Sequence, residues 1–201
     1  MRLIYLHGFA SGPQSSKAQF FRQRWPQLEV PDLTEGDFEH STLSQQLRLL
    51  DRLVGGDQVT LIGSSMGGYL AALFAARHPD RVARLVLMAP AFGLARRWTG
   101  MLGEAVMSDW QQQGWRPVHH YGEEREARIS YDLVADGMQY EEFPDVRQPT
   151  LIFHGRRDES VDYRLSVEFA RTRPNVELVL LDSDHQLLDK LELVAEKIRE
   201  S

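Results

Sequence analysis

Val59-Thr60-Leu61-Ile62-Gly63-Ser64-Ser65-Met66-Gly67-Gly68-Tyr69-Leu70-Ala71-Ala72 decides the reading of this chain. Its first four residues are an apolar, β-prone run, and Tyr69-Leu70-Ala71-Ala72-Leu73-Phe74-Ala75-Ala76 favours helix. Between the two stands Gly-x-Ser-x-Gly. A strand that turns at once into a helix needs small residues on either side of the turn, and Gly63 and Gly67 keep Cβ atoms out of the way. Ser65, at the centre, then projects its hydroxyl above the sheet edge at the start of a helix.

A serine hydroxyl becomes a nucleophile only when a base takes its proton and a third group orients the base. In a strand–turn–helix of this kind the partners follow in the order Ser, acid, His. Downstream, Thr150-Leu151-Ile152-Phe153 reads as a strand and runs into His154-Gly155-Arg156-Arg157-Asp158. Asp158 is the expected acid, with Glu159 and Asp162 as neighbouring alternatives. A further apolar run, 176–181, is followed by Asp182-Ser183-Asp184-His185-Gln186, and His185 is the expected base on the loop before the last helix. Of the other histidines, His7 and His154 end strands and are expected to shape loops. His40, His78, His119 and His120 read as surface or cap residues. No Cys and no helical His-Glu-x-x-His gives a metal-ligand spacing, so neither metal nor other cofactor is expected.

Acyl transfer places negative charge on a carbonyl oxygen, and backbone N–H groups hold it. Met66, at a helix N-terminus, is one expected donor. The other is Phe9, after the strand Leu3-Ile4-Tyr5-Leu6 and the His7-Gly8 step.

These segments together resemble the α/β-hydrolase superfamily: His7-Gly8-Phe9, the Ser65 turn, His154-Gly155 with Asp158, and Ser183-Asp184-His185 stand in that family's order along the whole chain. Tyr5-Leu6-His7-Gly8-Phe9 with Ser16-Lys17-Ala18 looks like small bacterial esterases of the superfamily. The Gly-Ser-Ser-Met-Gly-Gly turn and the Ser-Asp-His loop are also similar to mitochondrial depalmitoylating thioesterases. The resemblance implies an α/β-hydrolase fold and a serine hydrolase that cleaves carboxylic esters or thioesters through an acyl-serine. The same three residues can also run carbon–carbon bond hydrolysis or other acyl transfers. A non-catalytic small-molecule binding protein of this fold is a third reading. The family usually has two extra strands before the His-Gly strand; here that strand starts at residue 2, so the resemblance leads to the expectation of a trimmed core.

Apolar runs at 2–6, 28–30, 58–62, 84–89, 150–154 and 176–181 read as about six strands. Helical patterns lie at about 15–25, 41–54, 67–78, 162–172 and 186–199. Alternation of the two predicts a mostly parallel sheet flanked by helices, and the family implies the order 2-1-3-4-5-6 in these numbers. Residues 91–148 are far too many for one crossover, so a single domain over 1–201 with a small helical cap insertion at 91–148 is expected. That segment carries Trp98, Met101, Trp110, Tyr131 and Met138, candidates for an apolar substrate pocket. Arg156 and Arg157 are candidates for gripping a substrate anion.

The 201 residues are 42% hydrophobic and 26% charged, which is ordinary for one globular domain. Net charge is −6, and no basic cluster suggests nucleic acid. No cysteine means no disulfide. No apolar stretch reaches the roughly 18 residues of a membrane span, and no signal peptide is visible, so a cytoplasmic monomer or small homo-oligomer acting on a small acyl ester or thioester is expected.

Overall fold

In the computed structural model, which describes residues 2–200, the apolar runs become five parallel strands. These are β1 (Arg2–Leu6), β2 (Val59–Ser64), β3 (Val82–Met88), β6 (Thr150–Gly155) and β7 (Val176–Leu181), in the order β1-β2-β3-β6-β7. The central strands β2, β3 and β6 are largely buried on both faces because both faces are covered. Along β2 and β3, Leu61, Leu85 and Leu87 point to one core, while Ile62, Val86 and Met88 point to the other. Helices α2 (Leu43–Val54), α3 (Met66–Arg77) and α7 (Arg164–Arg171) lie on the first side. Helices α1 (Ser16–Arg24) and α8 (Leu191–Glu200) lie on the second, where Ala18, Phe21, Val194 and Ile198 close the core.

Local chemistry sets the helix ends. Thr42 and Gln45 form a reciprocal capping box on α2: Gln45 N donates to Thr42 Oγ1 (3.2 Å) and Thr42 N to Gln45 Oε1 (2.8 Å). Such a cap contributes about 1 kcal/mol. Helix α3 is buried from Met66 to Ala75, which is why its sequence is apolar all round.

Several expectations need correction. The run at 28–30 is not a strand. Only Glu29 bridges to the edge of β1, through Tyr5 N to Glu29 O (2.8 Å) and Glu29 N to Leu3 O (2.9 Å). Pro26 and Pro31 flank it and lack the N–H that would extend the ladder. The bridge nevertheless occupies the position beside β1 that the expected order gave it, and the sheet has five strands rather than six.

The segment between β3 and β6 is also not purely helical. It holds α4 (Leu94–Leu102), α5 (Glu104–Gln113), an antiparallel hairpin of β4 (Trp115–His120) and β5 (Arg125–Ser130), and α6 (Asp132–Gly137). The hairpin is mostly exposed, so its outward side chains are charged and mask the strand pattern. It is pinned at several points. Tyr121 N donates to Ala10 O (2.8 Å) and Ser130 N to Glu39 O (2.7 Å). His120 is buried edge-on against Phe38, not at the surface. The last helix begins later than its pattern suggests: a 3-10 turn covers Leu188–Lys190 before α8.

Candidate active site

The glycines around Ser65 leave no room for anything larger. A Cβ on Gly63 would sit 2.4 Å from Gly67 O, and one on Gly67 would sit 2.2 Å from Leu6 O. Ser65 itself has φ 54° and ψ −119°, a conformation that costs a non-glycine residue on the order of 1–3 kcal/mol. The backbone around it offsets that cost. Ser65 N donates to Met88 O (2.9 Å), and Ser65 O accepts from Gly68, Tyr69 and Ala91 N at 3.0–3.1 Å. Its side chain stands at the carboxyl end of the sheet, where such sheets bind ligands.

Asp158 lies on the loop after β6, and its side chain is fully shielded. Its Oδ1 accepts from Ser160 N and Val161 N, both at 2.8 Å. Its Oδ2 accepts from His185 Nδ1 (2.7 Å) and His154 Nε2 (3.1 Å). His154 is held in turn: Nε2 also reaches Val161 O (3.0 Å), and Nδ1 meets Ser166 Oγ (2.7 Å). Since Nε2 faces two acceptors, it carries the proton, and Nδ1 accepts from Ser166. His154 thus shapes the loop, as its position before Gly155 suggested. It also orients Asp158, a role that appears only once the loop has folded back on β6. Glu159 is exposed, and Asp162 turns away to pair with Arg164.

Burial alone would raise the Asp158 carboxyl, but the hydrogen bonds from His154 and His185 outweigh it and hold the group well below its ordinary 3.8. A carboxyl depressed by folding stabilises the folded state fully above the ordinary value and loses that contribution as pH falls below it. Wild-type Tm is therefore expected to drop more steeply below pH 3.8 than that of Asp158→Asn, followed by circular dichroism. Parallel acid limbs would remove Asp158 as the source.

Ser65 and His185 line one cleft of about 700 Å³, together with Gly8, Phe9 and, from α4, Trp98 and Met101. Phe9 and Met66 both line a smaller recess that shares Gly8, Phe9 and Ser11 with the cleft. Met66 opens α3, so its N–H has no acceptor within the helix. Trp110, Tyr131 and Met138 are not on the cleft's walls. Trp110 is packed between Trp98 and Tyr131, with Nε1 donating to Ile129 O (3.1 Å), and Met138 is exposed. Trp110 and Tyr131 fasten the inserted segment to the core.

Arg157 pairs with Asp182 in solvent, and Arg156 lies over the Tyr163 ring; neither lines the cleft. Among the described residues no three His, Asp or Glu side chains gather as a metal site, and no helix is long and apolar enough to cross a membrane. A cleft residue absent from the expectations is Lys17, buried on α1 with Nζ donating to Ser64 Oγ (2.9 Å).

A sequence profile of the uncharacterised protein family UPF0227 matches residues 2–199. The chain belongs to this family. Its fold is that of the α/β-hydrolase superfamily. The UPF0227 chain superimposes on the mouse alpha/beta hydrolase domain-containing protein 10 with a TM-score of 0.80 at 22% identity, covering 98% of this chain and 88% of that one. For Est1E from Butyrivibrio proteoclasticus the TM-score is 0.76 at 22% identity, covering 98% and 85%. In sequence it is 28% identical over 172 residues to the mitochondrial palmitoyl-protein thioesterase ABHD10 of Bos taurus, covering 80% of this chain and 56% of the relative. The chain thus spans about half the length of the ABHD10 relatives it matches.

Proposed function

We infer that this UPF0227 protein is a serine hydrolase that cleaves esters or thioesters through an acyl-Ser65 intermediate. The observation that carries the reading is the 2.7 Å hydrogen bond between His185 Nδ1 and Asp158 Oδ2 in the cleft that Ser65 also lines. The kinship with a palmitoyl-protein thioesterase supports the same class of bond.

Ser65 Oγ attacks the carbonyl carbon while His185 Nε2 takes its proton. Asp158 holds the imidazole with Nε2 free to accept, then stabilises the imidazolium through the Nδ1–H bond. The carbonyl oxygen becomes an oxyanion between the N–H groups of Met66 and Phe9, and losing one such donor costs about 3–4 kcal/mol. His185 returns the proton to the departing alcohol or thiol. Water then attacks the acyl-serine, giving its proton to His185, and the acid leaves as Ser65 regains its hydrogen.

Residues 91–148 act as a cap over this chemistry within a single domain. Leu94, Met101 and Val161 line both the cleft and a neighbouring groove of about 570 Å³ that continues to Phe92 and Leu165. These apolar side chains form an arm that suits the acyl chain, while Arg96, Arg97, Glu159 and Asp162 line the rest of the groove. Each buried methylene is worth about 0.8 kcal/mol, or roughly fourfold in kcat/KM. Hydrolysis of p-nitrophenyl esters and acyl thioesters from acetyl to palmitoyl should rise with chain length and break where the groove ends. No turnover on any of them, together with no labelling of Ser65 by a fluorophosphonate, would overturn the reading.

A further inference from the structure

Away from the apolar arm the cleft is lined mostly by polar residues, and Lys17 and Glu124 are the charged ones among them. Lys17 is 8% exposed, which is unusual for an ammonium unless a carboxylate accompanies it. Here none does. The one hydrogen bond Nζ makes is to Ser64 Oγ, and no Asp or Glu oxygen lies within ion-pair distance among the described residues. The nearest acids are committed elsewhere. Asp158 is saturated by two backbone N–H groups and two imidazoles, and Asp184 Oδ1 accepts from Gln186 N and Leu187 N. Ser64, the one partner of Nζ, is neutral, and with Ser15 it borders the phenol of Tyr5, which burial keeps protonated. An ammonium has three N–H donors. Two of them are therefore without a protein acceptor, in the wall of the cleft that holds Ser65 and His185.

We propose that Lys17 binds a carboxylate carried by the leaving group of the substrate. This rests on the serine-hydrolase reading and adds to it a class of alcohol or thiol. The side follows from the fold. His185 must reach the departing atom to protonate it, so the leaving group lies on the side of His185. Lys17 is on α1, which packs on the same face of the sheet as α8, the helix that follows the His185 loop. Ser64, which Lys17 touches, precedes the nucleophile in sequence, and all three residues line the one cleft. Burial depresses the Lys17 pKa to about 8, and Asp158 and Asp184 oppose that shift, so the ammonium is largely charged at neutral pH. An apolar acyl arm and a cationic leaving-group arm together select an apolar acyl ester or thioester of a small carboxylate-bearing alcohol or thiol.

The test compares S-hexanoyl-3-mercaptopropionate with its neutral primary amide, following released thiol. Wild-type kcat/KM should favour the carboxylate by about tenfold, the size of one charge-assisted hydrogen bond. Lys17→Gln and Lys17→Met should bring that ratio close to one, and Lys17→Arg should keep more of it than Lys17→Gln. A purely structural lysine would lower both substrates together and leave the ratio alone, which would overturn the proposal. So would a wild-type ratio near one with Ser65-dependent turnover of the amide, which would leave the hydrolase reading intact. A readout without turnover is ligand-observed NMR with 3-hydroxypropionate. Binding by wild type that is lost in folded Lys17→Gln supports the site even if neither thioester is cleaved, and equal signals from both proteins, or none from wild type, refute it.

Discussion

Ser65→Ala is expected to lower ester or thioester turnover by about 10⁴-fold or more while leaving Tm nearly unchanged. The hydroxyl is the bond-forming group of the proposed reaction, so nothing else in the cleft replaces it. Alanine at the same φ of 54° keeps the backbone contacts to Met88, Gly68, Tyr69 and Ala91. The residual rate reports what the two N–H donors and binding accomplish alone. Fluorophosphonate labelling should vanish with the activity. A folded alanine variant that keeps turnover, or one that is still labelled, would move the nucleophile elsewhere and undo the proposed reaction.

Gly67→Ala carries the largest expected effect on stability. Its new Cβ would stand 2.2 Å from Leu6 O and 2.4 Å from His7 O, both backbone atoms at the end of β1. Neither can swing aside as a side chain would, so α3 and β1 must separate. Overpacking against backbone costs about 3 kcal/mol or more, which for a chain of this size lowers Tm by roughly 6–12 °C. Thermal and urea unfolding measure it. The contrasting substitution is Gly100→Ala, where no atom lies within 4 Å of the new Cβ and Tm should scarcely move. Equal Tm values for the two variants would show that the turn is looser than its contacts imply.

What could be read without coordinates was whatever depends on short stretches. The strand–Gly-x-Ser-x-Gly–helix pattern is local, and the sheet order follows from alternation with a family resemblance behind it. The meeting of Asp158 and His185 was anticipated from their positions after two strands, because adjacent parallel strands bring the loops at their carboxyl ends together. Long-range burial was not legible. Lys17 stood out only within the Ser16-Lys17-Ala18 resemblance, and its burial, with Nζ on Ser64 far away in sequence, did not show. The 115–130 hairpin was hidden because an exposed two-stranded ribbon has little apolar alternation to display. His154 escaped as a partner of Asp158 because i and i+4 spacing brings groups together in a helix, and here a turn does so instead.

The fastening of the hairpin tip to the first loop has a mechanical consequence. Tyr121 N is tied to Ala10 O, one residue from Phe9, and Gly122 packs against Ser11 and Gly12. Swinging the hairpin outward would have to break these ties, and in doing so would pull on the loop that carries the oxyanion donor proposed at Phe9. Opening along that edge would therefore work against the proposed oxyanion site, so the same ties that hold the hairpin down would also hold the first loop in place for catalysis.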